Sequence, residues 1–269
     1  MVSQVSRPQS ATSPSAADVE QLARLRHTCA HVLAMAVQTL FPETRVTIGP
    51  CTETGFYYDF DRAEPFTPED LKRITTEMRR IIRANLPIIR ETVARDDIWA
   101  EIEQLNEPYK LEILDSIPAD EPITRYYIGC PDSLPSSAEP SLFNPPPANT
   151  PSPATRCWWE LCAGPHLSRT GELHPKAFAL ESVAGAYWRG DESQPQLQRI
   201  YGTAWETPEQ LKAYLTQKEE AKRRDHRKLG QTLNLFSIQE AAGGGLVFWH
   251  PKGARMRLLI EDYWRQAHL

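Results

Sequence analysis

Four residues of the sequence could bind a metal ion or activate a water molecule. His27 and His31 lie four residues apart in a stretch with helical periodicity, and Cys162 and His166 lie four apart across a Gly-Pro pair. The first spacing places both imidazoles on one face of a helix, and a Gly-Pro turn can bend His166 back toward Cys162. Three imidazoles and one thiol could hold zinc tetrahedrally, or could orient a water molecule for general-base catalysis. The spacing does not choose between these, and an exposed histidine pair beside an unrelated buried cysteine also fits it.

Two charged residues could assist such a cluster. Lys110 lies near the start of the amphipathic segment EPYKLEIL, where a partly buried ammonium could stabilise a developing oxyanion. The sequence by itself favours a plainer role for it, a surface lysine paired with Glu107 or Glu112. Glu160 precedes Cys162 by two residues, so on a strand both side chains point to the same face. Its carboxylate could orient a histidine or bind a substrate ammonium.

The composition restricts the class of protein that carries these residues. Of 269 residues, 41% are hydrophobic and 24% charged, which excludes both a membrane protein and a wholly disordered chain. The 35 acidic and 30 basic residues give a net charge of −5, so any nucleic-acid binding must be local. Five cysteines without a repeated short spacing indicate reduced thiols. No secretory or membrane-spanning segment is predicted, and we expect a cytoplasmic protein without membrane contact.

The elements that must position the histidines begin after a polar tail. Residues 1–17 have almost nothing large to bury, which predicts a disordered tail. From Asp18 to Phe41 apolar residues recur at spacings of three and four, which predicts a helix with Asp18 as its N-cap and Pro42 closing it. Both histidines lie on this helix.

The remaining elements predict helices on a sheet. Two short strands are expected within residues 45–60. Thr67 as a capping residue, followed by Pro68 at the first helical position, predicts a second helix that ends near Asn85. Further predicted elements are a short helix after Asp96-Asp97, a helix over Tyr109–Ser116, a strand in CWWELC, a turn at GPH, and a strand in AFALESVAGAYWRG. Residues 131–156 contain eight prolines and five serines, which predicts an inserted flexible loop.

A basic helix is expected near the end of the chain. Thr207-Pro208-Glu209-Gln210 has the pattern of a capping box, and the helix it opens is predicted to run to a C′ glycine, Gly230. Residues 218–228 carry six basic and three acidic side chains. Such a run is either a solvated face or a nucleic-acid contact. The candidate nucleic-acid-binding residues are Arg223, Arg224, Arg227 and Lys228.

Several motifs together resemble one family. HTCAHVLAMAV, GFYYDF, EPYKLEILDSIP, LCAGPH, SVAGAYWRGD, LQRIYGTAW, KRRDHRKLG and GLVFWHPKGA are similar, in order and spacing, to the N-terminal half of threonyl-tRNA synthetases. The HxxxH and CxxxH pairs are shared with alanyl-tRNA editing domains, but SVAGAYWRGD and LQRIYGTAW are specific. The resemblance covers residue 23 to residue 269, apart from the insert.

The resemblance implies an α+β fold in which helices pack on a mostly antiparallel sheet. It implies an editing domain over 18–205, a basic linker helix over 206–229, and the first part of a class II aminoacylation domain over 230–269, which we expect to be truncated. In this family the editing domain hydrolyses serine from serine-charged threonine tRNA. The resemblance assigns catalysis to His27, His31, Lys110, Cys162 and His166, and substrate binding to Glu160 and Tyr109.

The resemblance also sets expectations for cofactors and partners. The family uses ATP, magnesium and a catalytic-domain zinc whose ligands are absent from this sequence, so no cofactor is expected, with zinc at the His/Cys cluster as the alternative. Threonine tRNA is the expected partner, and the family forms homodimers through a domain mostly missing here. Glu160 replaces the family's usual Asp, and Ala163 replaces a frequent basic residue. These departures leave open a tRNA-binding module without catalysis, or a domain that zinc stabilises structurally.

Overall fold

The computed structural model describes residues 16–129, 158–239, 243 and 245–269. The chain divides into two compact units, residues 1–211 and residues 212–269. The boundary falls inside the predicted linker helix. The predicted insert, 131–156, lies outside the described residues. Within them, no helix is both long and apolar enough to cross a lipid bilayer.

The first helix, α1 (Ala16–Leu40), forms the centre of the larger unit. Its Cys29, Val32, Leu33 and Val37 have no solvent exposure. The prediction of Asp18 as N-cap is wrong, because Ala16 and Ala17 are already helical and Asp18 lies in the first turn. An acidic residue in the first turn interacts favourably with the positive end of the helix dipole. The predicted tail is therefore wrong for Ala16 and Ala17, and its other residues are outside the described ones.

A four-stranded antiparallel sheet packs against α1. Its strands are β1 (Arg45–Val46), β2 (Phe56–Asp61), β6 (Phe178–Tyr187) and β7 (Gln196–Ala204), in the order β1-β2-β7-β6. On β2 the alternate residues Phe56, Tyr58 and Phe60 are buried in the same core as α1. The second helix, α2 (Pro68–Arg83), completes this layer, and it begins with the predicted capping residue Thr67.

A second, three-stranded antiparallel sheet supplies the other half of the site. It contains β3 (Ile88–Val93), β4 (Ile123–Ile128) and β5 (Trp158–Leu161), in that order. Two helices, α3 (Arg95–Gln104) and α4 (Pro108–Ser116), belong to the same layer. A separate apolar cluster that includes Ile98, Leu114 and Trp159 holds the helices on this sheet. The predicted α+β class with antiparallel sheets is confirmed.

The predicted single basic helix is two helices. α5 (Pro208–Arg223) ends before Asp225, whose side chain accepts a 2.8 Å hydrogen bond from the backbone N–H of Arg227 and caps α6 (His226–Thr232). The prediction of Gly230 as a C′ residue is also wrong, since Gly230 lies inside α6. A Cβ on it would sit 2.3 Å from the ring of Phe236, so close packing explains the glycine.

The smaller unit continues with a hairpin and a long helix. The hairpin pairs β8 (Phe236–Ile238) with β9 (Val247–Trp249), and α7 (Pro251–His268) follows. Large apolar side chains of α7 are exposed, including Leu259 at 64% and Tyr263 at 75%.

Candidate active site

The four candidate residues converge in the larger unit. The Sγ atom of Cys162 lies 3.3 Å from Nε2 of His27 and 3.3 Å from Nε2 of His166. His31 completes the group, with its ring centroid 4.2 Å from that of His166. One nitrogen or sulfur atom from each residue can be chosen so that all four lie within 4.8 Å of one another. We refer to His27, His31, Cys162 and His166 as the His/Cys cluster.

Local structure at the end of β5 brings Cys162 and His166 to α1. The backbone N–H of Cys162 donates to the carbonyl oxygen of Thr124 at 3.1 Å, which extends the strand pairing, and the chain then turns at Gly164. Gly164 has a φ of 77°, and a Cβ there would lie 2.2 Å from the hydroxyl oxygen of Tyr126. Its N–H donates to Sγ of Cys162 at 3.2 Å. Glycine is therefore needed here because the turn has a positive φ and because the ring of Tyr126 occupies the space that a Cβ would take.

One α1 hydroxyl fastens the turn to the helix. Oγ1 of Thr28 accepts a 3.0 Å hydrogen bond from the backbone N–H of Leu167 and lies 3.3 Å from Nδ1 of His166. Thr28 is fully buried. This contact fixes the orientation of the His166 ring relative to His27 and His31.

Burial keeps the cluster uncharged near neutral pH. Desolvation lowers the pKa of His27 and lowers that of His166 to about 3. The pKa of His31 falls well below its ordinary value, first through burial and then through the nearby charges of His166, His27 and Lys110. Burial also raises the pKa of the Cys162 thiol to about 12. The imidazoles can thus accept a proton, while the thiol holds its own and is a poor nucleophile.

A buried ion pair lies beside the cluster. Nζ of Lys110 donates to Oε1 of Glu160 at 2.7 Å, and the two side chains are only 3% and 4% exposed. The favoured interpretation of Lys110 as a surface residue paired with Glu107 or Glu112 is therefore wrong. Its partner is a strand residue fifty positions later, which the sequence pattern does not identify.

Sequence reasoning missed one member of this group, Tyr58. Its hydroxyl donates to Oε2 of Glu160 at 2.6 Å, and burial, followed by the charge of Glu160, raises its pKa well above the ordinary value. Tyr58 thus remains a hydrogen-bond donor. The alternation along β2 marks it as inward-facing, but only the packing of β2 near β5 places it on the carboxylate.

The structure places Tyr109 apart from the His/Cys cluster. Its hydroxyl donates to Oδ2 of Asp61 at 2.9 Å, and its ring packs edge-on against Trp188 with centroids 5.1 Å apart. It is adjacent to Lys110 in α4, but its contacts lie with the first sheet.

The candidate tRNA-binding residues lie in the smaller unit. Arg223 and Arg224 form ion pairs with Glu220, at 3.0 and 3.5 Å, and Arg227 pairs with Asp225 at 2.8 Å. All three side chains are more than three-quarters exposed. Lys228 is also exposed.

The donor set of the His/Cys cluster fits zinc. Three imidazole nitrogens and one sulfur are a ligand combination that Zn²⁺ accepts. One of the rings has an outer partner of the kind that orients a metal ligand, because Nδ1 of His166 lies 3.3 Å from the hydroxyl oxygen of Thr28. The same contact would orient this ring toward a water molecule.

Comparison with known proteins defines the class of this domain. The family model described as "Threonyl and Alanyl tRNA synthetase second additional domain" matches residues 152–201, the segment that carries Glu160, Cys162 and His166. The chain therefore contains the domain that synthetases for threonine and alanine share.

The more similar relatives specify the family. A threonine--tRNA ligase of Synechococcus sp. (strain CC9902) is 59% identical over 255 residues, which are 95% of this chain and 37% of that protein. The ligase "chloroplastic/mitochondrial 2" of Arabidopsis thaliana is 56% identical over 97% of this chain and 36% of its own length. A Synechocystis ligase is 53% identical over all of this chain and 40% of its own. The chain belongs to the threonine--tRNA ligase family and spans between a third and two-fifths of the length of these relatives.

Proposed function

We propose that the larger unit hydrolyses the ester bond of serine-charged threonine tRNA, an editing reaction. One observation carries the proposal: the neutral imidazoles and the protonated thiol of the His/Cys cluster converge, with one donor atom from each residue within 4.8 Å of the others. The buried ammonium of Lys110 lies beside them. The family domain over residues 152–201 and the threonine--tRNA ligase relatives support the choice of substrate class.

The chemistry of serine and threonine explains why a second site is useful. The two amino acids differ by one methyl group, and a missing methyl or methylene contact is worth only about 1–3 kcal/mol of discrimination. A small hydrolytic pocket that admits serine and excludes threonine by steric clash can hydrolyse the threonine tRNA that was charged with serine by mistake.

In the proposed mechanism a cluster histidine accepts a proton from water as the water attacks the aminoacyl carbonyl. His27 is the best candidate, because it is partly exposed whereas His31 is 3% exposed. Lys110 would stabilise the oxyanion, since its ammonium has three N–H donors and the Glu160 bond uses one. Cys162 and His166 shape the pocket and hold the water.

Zinc is the alternative occupant of the same centre. His27, His31, Cys162 and His166 would be its ligands, and bound zinc would lower the pKa of a coordinated water. We favour hydrolysis by the side chains alone. If zinc has only a structural role, the purified chain should contain zinc but should not deacylate the tRNA.

The wider role of the chain is also a proposal. Charging of threonine tRNA with threonine and ATP, with magnesium and a catalytic zinc, would belong to the part of the relatives that this chain does not span. There the family would also form its homodimer. We propose action in the cytoplasm, which the reduced thiols of Cys29, Cys51 and Cys162 support.

The test measures loss of serine and of threonine from preformed aminoacyl-tRNA with the purified chain. Rapid release of serine alone is expected, and His27→Ala should slow it by about 100- to 10,000-fold, the range of general-base contributions. His174→Ala, which removes an exposed histidine outside the cluster, is the matched control and should leave the rate unchanged. Retained activity in His27→Ala contradicts the assigned base, and loss of neither amino acid favours a tRNA-binding module without catalysis. Sensitivity to a chelator favours zinc.

A further inference from the structure

The mechanism does not use the buried carboxyl group of Glu107. Glu107 immediately precedes α4, and its backbone carbonyl accepts from the N–H of Lys110 at 3.1 Å. The residue is 6% exposed, and its Oε2 atom is buried without a hydrogen-bond partner. A buried polar atom of this kind costs free energy unless some state of the protein uses it.

Ionisable and polar groups approach Glu107 from five elements. They are Gln38 of α1, Arg45 of β1, Tyr58 of β2, Lys110 of α4 and Glu160 of β5. Of the two cations, Arg45 has a side chain that is 42% exposed and lies 3.8 Å from Asp61. Lys110 is therefore the buried cation that both carboxyl groups share.

The two carboxyl groups are not equivalent. Glu160 accepts from Lys110 and Tyr58, and also from the backbone N–H of Leu161 at 3.1 Å. Its negative charge is well stabilised. Burial raises the pKa of Glu107 to about 6, with the charge of Glu160 acting in the same direction and that of Lys110 opposing it. One ammonium balances one carboxylate, so below about pH 6 the second carboxyl group keeps its proton until another cation enters.

An aminoacyl ester carries such a cation, its α-ammonium group. We propose that Glu107 balances the charge of the substrate ammonium, holding a proton while the pocket is empty and releasing it to solvent when the ammonium enters. The inference rests on the proposed editing function. The O–H bond of Glu107 breaks, the proton goes to the buffer, and the ligand keeps its own positive charge. Glu107 thereby selects for a free amino group.

Proton release on binding can be measured by titration calorimetry of the 269-residue chain. The ligand is an adenosine whose 3′-amine carries serine through a stable amide, and its N-acetylated form is the uncharged control. Titrations at about pH 5.5 in acetate and in MES, which differ in ionisation enthalpy, give the number of protons released. With a pKa of about 6, the wild-type chain should release up to about 0.7 proton for the charged ligand and none for the acetylated one.

Variants separate Glu107 from other titrating groups. Glu107→Gln is expected to bind the charged ligand without proton release, whereas Glu103→Gln, an exposed carboxylate of α3, should release as the wild type does. Equal release by Glu107→Gln, or equal release with the acetylated ligand, overturns the inference. If Glu107→Gln does not fold, the comparison of the two ligands on the wild-type chain decides the matter. Failure of the wild-type chain to bind either ligand overturns the proposed function and this inference together.

Discussion

Removing Lys110 should destabilise the larger unit through the charge it leaves behind. In Lys110→Met the Glu160 carboxylate, in a side chain only 4% exposed, keeps the hydroxyl of Tyr58 and the N–H of Leu161 but loses its cation. Breaking a buried pair by removing one partner costs about 3–5 kcal/mol. The gross attraction at 2.7 Å is of the same order, roughly 6 kcal/mol with an effective dielectric constant near 20. We expect a loss of about 3–5 kcal/mol near neutral pH.

Urea unfolding followed by tryptophan emission measures this loss. Trp158 and Trp159 are 7% and 4% exposed and report on the larger unit. The double variant Lys110→Met/Glu160→Gln removes both charges. Its loss in free energy of unfolding should therefore be smaller, by at least about 2 kcal/mol, than the sum of the losses of the two single variants. Lys72→Met, at a side chain that is 75% exposed, is the matched control and should change stability by less than about 0.5 kcal/mol. Additive effects of the two single substitutions, or a Lys110→Met loss no larger than the control, would refute the description of a buried, mutually dependent pair.

Three further outcomes follow from other features. The folded state raises the pKa of Glu107 from 4.5 to about 6, so its contribution to stability is complete below about pH 4.5 and is lost as the pH rises through 6. Over this pH range the free energy of unfolding of Glu107→Gln should therefore gain about 2 kcal/mol relative to that of the wild type. Urea unfolding at a series of pH values measures this gain, and parallel curves of stability against pH for the two proteins contradict it. Gly230→Ala should lower the free energy of unfolding of residues 212–269 by about 1–3 kcal/mol, because the added Cβ would lie 2.3 Å from the Phe236 ring. An unchanged midpoint of urea unfolding argues against that packing. Charge reversal at both Arg223 and Arg224 should lower the salt dependence of tRNA binding by about two in the log–log slope, and an identical slope excludes them as phosphate contacts.

Local sequence patterns predicted the parts of the site that depend on nearby residues. The spacing of His27 and His31 and the Gly-Pro turn before His166 both act over a few residues, so their geometry follows from helix periodicity and turn chemistry. Thr67 as the N-cap of α2 was predictable for the same reason. The meeting of the two His/Cys halves was a hypothesis that only tertiary packing could test.

Long-range pairing produced the features that the sequence did not predict. The register of β4 on β5 sets Glu160 opposite Tyr126, and no pattern within α4 specifies that Lys110 reaches this strand. Tyr58 was not identified from the sequence, because the alternation along β2 does not distinguish a tyrosine from a phenylalanine on the buried face. The break before α6 was missed because Asp225 stands within a charged run, where a capping aspartate looks like any solvated acid.

The strand order of the first sheet has a consequence for the protein during translation. β7, near residue 200, pairs between β2 and β6, so the sheet that backs α1 closes only after more than 150 residues have followed that helix. At 5–20 residues per second the ribosome needs roughly 10–30 s for this stretch. Throughout that interval α1 can pack against β2 and α2 but lacks the cover that β6 and β7 supply, and this part of its surface is open to chaperones. A nascent chain halted before Gln196 would carry all four His/Cys cluster residues without the central strand that holds their scaffold together.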